Sequence, residues 1–176
     1  MIDAALIAAA QTGDRSAIDE LLERYESRIY RFGLRMCGDE ESARDVLQDT
    51  LLAAFRNLTG FRGEASLSTW LYQIARSYCI KARRGPRPPA PLADDVPDRE
   101  PPPDLQAHAR EIGEALAAAI AALPADQREA VVLRDVQGLS ADEAARVAGI
   151  EIRALKSRLH RARLALRERL TAAAID

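Results

Sequence analysis

The chain has 176 residues, 48% of them apolar but only 5% aromatic, and a formal net charge of −2, which bounds it to one ordinary domain or two small ones. Ala, Leu and Arg dominate while Val and Thr are sparse, a balance that favours helices and predicts an all-α protein. No apolar run approaches the roughly 20 residues that span a bilayer, and Asp3 ahead of a short Ala/Leu/Ile run breaks any signal-peptide pattern. A cytoplasmic protein without direct membrane insertion is expected.

In chain order, a short Ala-rich helix is expected from Asp3 to Ala10, broken at Gly13. Asp14 or Ser16 caps the next helix, where Ile18, Leu21, Leu22, Tyr25, Ile29, Phe32 and Met36 keep helical spacing up to Cys37 and the stop at Gly38. Asp39 caps a third, with Glu40 and Glu41 in its first turn, where the helix dipole favours acids. Val46, Leu47, Leu51, Phe55 and Leu58 form its expected buried stripe. Asp45, Gln48, Asp49 and Leu52 share another face. A leucine among acids and an amide suits a partner surface, and an ordinary solvated face equally well.

Gly60 to Ser68 is expected as a loop. Ser68 or Thr69 then opens a helix through Trp70, Leu71, Ile74, Ala75 and Tyr78 that ends in Lys81, Arg83 and Arg84. Small polar residues beside aromatics and a basic helix can hold single-stranded bases, because aromatics stack and Arg and Lys follow phosphate. A mostly core position is expected for Trp70, and Tyr78 is left open between core and surface. Residues 85–107 hold eight of the nine prolines and five acids, the composition of a linker. Extended at ~3.1 Å per residue, it could reach on the order of 65–70 Å, enough to let two helical domains sit far apart on a long partner.

Helix resumes over residues 105–122 and is interrupted at Leu123-Pro124. Another is expected from Asp126 to Val136, closed by Gly138. Ser140 and Glu143 have the S-x-x-E spacing of a capping box, so a helix starts at Ala141 and ends at Gly149. A last helix runs from about Glu151 to Leu170. Ile152, Leu155, Leu159, Ala162, Leu166 and Leu170 lie on one side of it; Arg153, Ser157 and Arg161 lie opposite, flanked by Lys156 and Arg158. A short helix, a Gly turn and a basic second helix form the helix-turn-helix arrangement, whose second helix enters the DNA major groove; a solvated Arg-rich helix in a bundle has the same pattern.

Charge is unevenly spread. Residues 61–84 and 151–176 each carry +4, and the remaining segments are acidic. Such a chain should bind duplex weakly alone, because backbone neutralisation supplies most non-specific affinity. Cys37 and Cys79 stand far apart without zinc spacing and are expected as two buried thiols rather than a redox pair; His108 and His160 join no cluster and receive no catalytic role. There are no paired carboxylates in a cleft pattern, no phosphate loop and no metal spacing. The expectation is therefore no catalytic residue, no metal, no cofactor and no small-molecule substrate.

These pieces, in this order, resemble the bacterial sigma-70 family of RNA polymerase initiation factors, and among them the small extracytoplasmic-function group. The resemblance rests on Asp45-Val46-Leu47-Gln48-Asp49, on Thr69-Trp70-Leu71-Tyr72-Gln73-Ile74-Ala75-Arg76, and on Lys156-Ser157-Arg158-Leu159-His160-Arg161-Ala162-Arg163. It implies two small helical domains: sigma region 2 over 1–84 and sigma region 4 over 108–176, joined by the Pro-rich linker 85–107. It further implies that Asp45, Gln48, Asp49 and Leu52 dock on the β′ clamp of core RNA polymerase, with region 4 on the β flap. The promoter −10 element would be read and opened by Arg62, Ser66, Trp70, Arg76, Ser77, Tyr78, Lys81, Arg83 and Arg84, in part by capturing a flipped base. Arg153, Ala154, Lys156, Ser157, Arg158 and Arg161 would contact the −35 element.

The acids of the linker would sit where nascent RNA later passes. An anti-sigma factor is the implied regulator. The chain departs from the family's pattern at Ser77 (usually Asn), Lys81 (often Asp), Ala154 (commonly Thr), and Ala141 and Ala144 (usually bulkier). A rival within the resemblance is a sigma mimic that sequesters an anti-sigma factor without initiating transcription; mimics tend to lose basic DNA contacts, and both basic stripes persist here. A dimeric helix-turn-helix regulator would leave Asp45, Gln48 and Asp49 without a role.

Overall fold

The structure is a computed structural model that describes the backbone of residues 4–82 and 103–173, and side chains over 4–82 and 110–171. All regular structure among the described residues is helical. The N-terminal half comprises α1 (Ala4–Gln11), α2 (Arg15–Cys37), α3 (Glu40–Asn57), a 3-10 turn (Leu58–Gly60) and α4 (Leu67–Ala82). The C-terminal half comprises α5 (Pro103–Ala121), α6 (Ala125–Val131), a π turn (Val132–Val136), α7 (Ala141–Ala148) and α8 (Ile152–Ala173).

Local chemistry sets the boundaries. Asp14 accepts from the Ala17 amide at 3.2 Å and Asp39 from the Ser42 amide at 2.8 Å, each satisfying a donor that an N-terminal turn leaves open. Gly38, at φ 92°, ends α2 and donates its N–H to the Leu34 carbonyl. The capping box of α7 is complete in both directions, and Gly149 ends that helix at φ 65°. The cap of α4 is Ser66, two or three residues earlier than expected: its carbonyl accepts from the Trp70 amide, and its Oγ from the Thr69 amide at 3.2 Å. Helix α5 begins at Pro103 and so takes five residues from the expected linker; proline suits a first helical position, where no N–H is needed. The rest of the linker lies outside the described residues.

In the N-terminal half α2, α3 and α4 pack on one another, with α1 against α2. Tyr25, Ile29, Phe32, Leu71 and Tyr72 are fully buried, and the Phe32 and Tyr72 rings lie 5.2 Å apart in a tilted pair. Gly33 permits the close approach of α2 and α3, since a Cβ there would meet the Ala43 backbone at 3.3 Å. The buried stripe of α3 is Ala43, Val46, Thr50 and Ala54, continued by Leu58 in the 3-10 turn; Thr50 fits because its hydroxyl donates to the Val46 carbonyl at 2.6 Å. Phe55, expected in that stripe, is 51% exposed. A small Ala54 occupies the inward position beside it, and the phenyl ring turns to solvent.

In the C-terminal half, Leu133, Leu139, Ala144, Leu155, Leu159 and Ala162 form the core where α6, α7 and α8 meet. Arg128 is buried and donates to the carbonyls of Ala121 and Leu123, which ties α6 to the end of α5. The expected helix over 126–136 changes pitch: Gln137 N–H bonds back to the Val132 carbonyl five residues earlier, a widened turn. Of the expected inner face of α8, Leu166 and Leu170 are only partly covered and Ile152 is 37% exposed.

The two halves share one hydrophobic cluster, and α4 packs directly against α7. The two helical halves are thus packed together in a closed arrangement.

Candidate functional site

Three surfaces carry the residues singled out by the sequence. On α3, Asp45, Gln48, Asp49 and Leu52 are all exposed, with Leu52 43% accessible. They share one face because helical residues three and four apart are neighbours. Phe55 lies three residues beyond Leu52 and extends the apolar part of that face. Its i+3 spacing was visible in the sequence, yet an aromatic ring is ordinarily assigned to the core.

The second surface is the loop before α4 and α4 itself. Gln11 of α1 donates to the carbonyls of Leu58 and Phe61, at 3.2 and 2.6 Å, and pins the base of the loop. Phe61 and Trp70 rings sit 5.3 Å apart, tilted. Between loop and helix lies a cavity of about 340 Å³, lined by Phe61, Arg62, Trp70 and Gln73, with Arg146 of α7 also contributing. Trp70 is half-buried, with one side available to this cavity. Farther along α4, Ser77 is exposed but its hydroxyl donates to the Ile74 carbonyl at 2.7 Å. The Lys81 ammonium stands 4.9 Å from the Tyr78 ring centroid, and Tyr78 is half-buried. Arg83 and Arg84 lie outside the described residues.

Much of this surface faces the C-terminal half. The Ser66 and Thr69 hydroxyls both donate to Oε1 of Glu143, at 2.7 and 3.1 Å. The Ser140 amide donates to the other carboxylate oxygen at 3.0 Å. The Ser140 backbone bond first, and the Ser66 hydroxyl next, hold the Glu143 carboxyl down to about 2 against the opposing effect of burial. Arg146 donates to the Glu64 carbonyl at 2.7 Å, and Gln73 to the Arg146 carbonyl at 3.3 Å. Deeper in, Tyr72 donates to Gln137, and burial pushes its phenol pKa upward. Arg76 pairs with the buried carboxylate of Glu129. Thr69, Gln73 and Arg146 escaped the sequence reading because their partners are more than 70 residues away. No local signal marks such contacts.

The third surface is α8. Arg153, Lys156, Ser157 and Arg161 are exposed, and Ala154 is partly so. His160 is exposed on the same side, a neighbour the sequence reading passed over; it follows Lys156 and Ser157 by one turn. Arg158 is turned partly inward, with Nε 3.6 Å from Asp126. Arg163 forms a two-pronged pair with Asp135, at 3.0 and 2.7 Å, which fixes α8 against the π turn and holds the guanidinium pKa above its usual value. Among the described residues no group of three His, Cys, Asp or Glu could hold a metal, and no helix is long and apolar enough to cross a membrane.

Residues 21–87 match the family Sigma-70 region 2, and residues 113–166 match Sigma-70 region 4. The chain is 38% identical, over 93% of its length and 82% of the relative's, to the ECF RNA polymerase sigma factor SigM of Mycobacterium tuberculosis. It is 33% identical to the RNA polymerase sigma-H factor of Pseudomonas aeruginosa, over 93% of this chain and 91% of that one. The structure of CnrH in complex with the cytosolic domain of CnrY is similar at a TM-score of 0.73 and 26% identity, over 96% of both chains. The sigma factor RpoE in complex with the anti-sigma factor NepR, from Bartonella quintana, is similar at a TM-score of 0.73 and 25% identity, over 87% of this chain and 96% of that one.

Proposed function

The chain belongs to the sigma-70 family, in its extracytoplasmic-function group, and from that premise we propose how its surfaces divide the work of initiation. It is a sigma factor: it binds core RNA polymerase, directs promoter-specific transcription initiation, and is controlled by an anti-sigma factor. It acts in the cytoplasm as an initiation factor and not as a catalyst.

Asp45, Gln48, Asp49 and Leu52, with Phe55 beside them, form the surface for the polymerase clamp. What supports this is that acids, an amide and two apolar side chains stay together in solvent on α3. The loop from Phe61 to Ser66, with Trp70 and Arg62, receives a base flipped from the −10 element. The walls of this cavity that belong to the loop and α4, aromatic in Phe61 and Trp70 and cationic in Arg62, suit a nucleobase once Arg146 has withdrawn, and extrusion costs a few kcal/mol that contacts elsewhere in the complex can offset. Arg76, Ser77, Tyr78, Lys81, Arg83 and Arg84 continue that surface along the strand. On α8, Arg153, Lys156, Ser157 and Arg161 enter the −35 major groove, His160 lies beside them, and Ala154 and Arg158 flank the contact.

The closed arrangement bears on this order of events. Glu143, Arg146 and Glu129 occupy polar groups of the −10 surface, so region 4 must leave α4 before that surface meets DNA. Core polymerase, with separate docking points for the two regions, supplies the driving force.

The test is run-off transcription on fragmented genomic DNA from the source organism, with purified core polymerase, with and without this chain. New starts that share a two-block upstream element are expected. The absence of both new starts and core binding would sink the proposal and point to a sigma-like mimic.

A further inference from the structure

We infer that Cys37 and Cys79 form a dithiol site that a hydroperoxide converts to a reversible intrachain disulfide. The two residues are 42 positions apart, yet the packing of α2 on α4 brings their sulfurs to 3.3 Å. A disulfide needs about 2.05 Å between sulfurs, so the two sulfurs have a little over ~1 Å left to close.

Burial divides the roles. Cys37, the last residue of α2, is partly exposed and can meet a small oxidant; Cys79 is fully buried behind it. The Cys37 thiolate attacks the outer peroxide oxygen. The O–O bond breaks, the peroxide leaves as an alcohol or water after taking up a proton, and Cys37 becomes a sulfenic acid. The Cys79 sulfur then attacks the Cys37 sulfur; the S–S bond forms and the sulfenic oxygen leaves as water with the Cys79 proton. In balance, two thiols lose two electrons and two protons, and one peroxide becomes one alcohol and one water. Because Cys79 follows Tyr78 directly, the bond covalently ties the C-terminal end of α4 to the end of α2, on which it already packs. The site stands on this geometry alone, and it holds whether or not the −10 reading of α4 does.

The full-length reduced chain is treated with a few equivalents of hydrogen peroxide and followed by intact mass and peptide mapping. Expected are a loss of two hydrogens, a crosslink between the Cys37 and Cys79 peptides, and full return with dithiothreitol. Cys79→Ser should instead accumulate a Cys37 sulfenic acid that dimedone traps. Because a serine at a buried position can disturb folding, equilibrium with glutathione is measured on the wild-type chain as well. The effective concentration of the pair should be at least tenfold higher in the native chain than in the urea-unfolded one. Equal values in the two states would overturn the inference. So would peroxide products confined to an intermolecular dimer or a Cys37 sulfinic acid with the Cys79 thiol intact.

Discussion

The Ser66 hydroxyl at the cap of α4 donates at 2.7 Å to the same carboxylate of Glu143 that completes the capping box of α7. One acid therefore serves two helices, one in each half of the chain. Its hydrogen bonds come from groups that remain donors at any pH, so the charge on the carboxylate decides their strength.

This makes stability pH-dependent in a known direction, through the α7 cap first and the contact with α4 second. The folded-state pKa of Glu143 is lowered to about 2 from the ordinary 4.5, so its contribution is fully present above 4.5 and is lost as pH falls toward 2. Glu143→Gln should therefore lower the unfolding midpoint at pH 7, and the gap to wild type should narrow between pH 4.5 and 2.5. A gap that stayed constant over that range would show that the charge does not carry the contact.

Those features that depend on neighbours in sequence were legible from it. Asp14, Asp39 and the Ser140/Glu143 box act within three residues, and Gly38 and Gly149 end helices by their own backbone freedom. The basic face of α8 followed from periodicity alone. What escaped depends on approach in space. Periodicity puts an apolar residue in a stripe but does not say which of Ala54 and Phe55 turns inward, and that choice is made by the neighbouring helices. The Cys37–Cys79 approach and the docking of α7 on α4 join residues far apart in the chain, and no spacing rule encodes them.

Arg76 and Glu129 pair across the two halves, with Glu129 side-chain exposure of 8%. Arg76→Ala would leave a buried carboxylate without its guanidinium, which typically costs about 3–5 kcal/mol. Since Arg76 is itself 27% exposed, the lower part of that range is expected. A double-mutant cycle with Glu129→Ala in urea unfolding should give an interaction of roughly 0.5–3 kcal/mol, and X-ray scattering should show a larger radius of gyration for Arg76→Ala. Additive losses with unchanged dimensions would count against the pair as a clasp.

Phe32 offers a test of the N-terminal core by itself. It is fully buried, with its ring 5.2 Å from that of Tyr72. Phe32→Ala should cost about 3–5 kcal/mol in chemical unfolding, the usual cost of a large aromatic deletion in a packed core.

The α3 face should separate from stability. Asp45, Gln48 and Phe55 are exposed, so Asp45→Ala with Gln48→Ala, or Phe55→Ser alone, should change unfolding free energy by no more than about 0.5 kcal/mol per substitution. Each should weaken binding to core polymerase by about tenfold, roughly 1.4 kcal/mol, and leave binding to an isolated −35 duplex unchanged. Parallel loss of duplex binding would mean that the faces were assigned wrongly.

On α8 the structure separates two arginines that the sequence treats alike. Arg161 is exposed, while Arg158 is partly inward with Asp126 3.6 Å away. A guanidinium that neutralises one phosphate releases its counterion, so removing it should lower the slope of log K against log salt by about 0.9. Arg161→Ala should show that change on a −35 duplex, read by fluorescence anisotropy across a salt series, with little effect on the unfolding midpoint. Arg158→Ala should do less to the salt slope and more to the midpoint, because it gives up the Asp126 contact and partly buried stem. Charge reversal of Asp126 by Asp126→Lys should push Arg158 outward without changing the helix. If Arg158→Ala and Arg161→Ala gave the same slope change and the same midpoint, the inward turn of Arg158 would have no bearing on DNA binding.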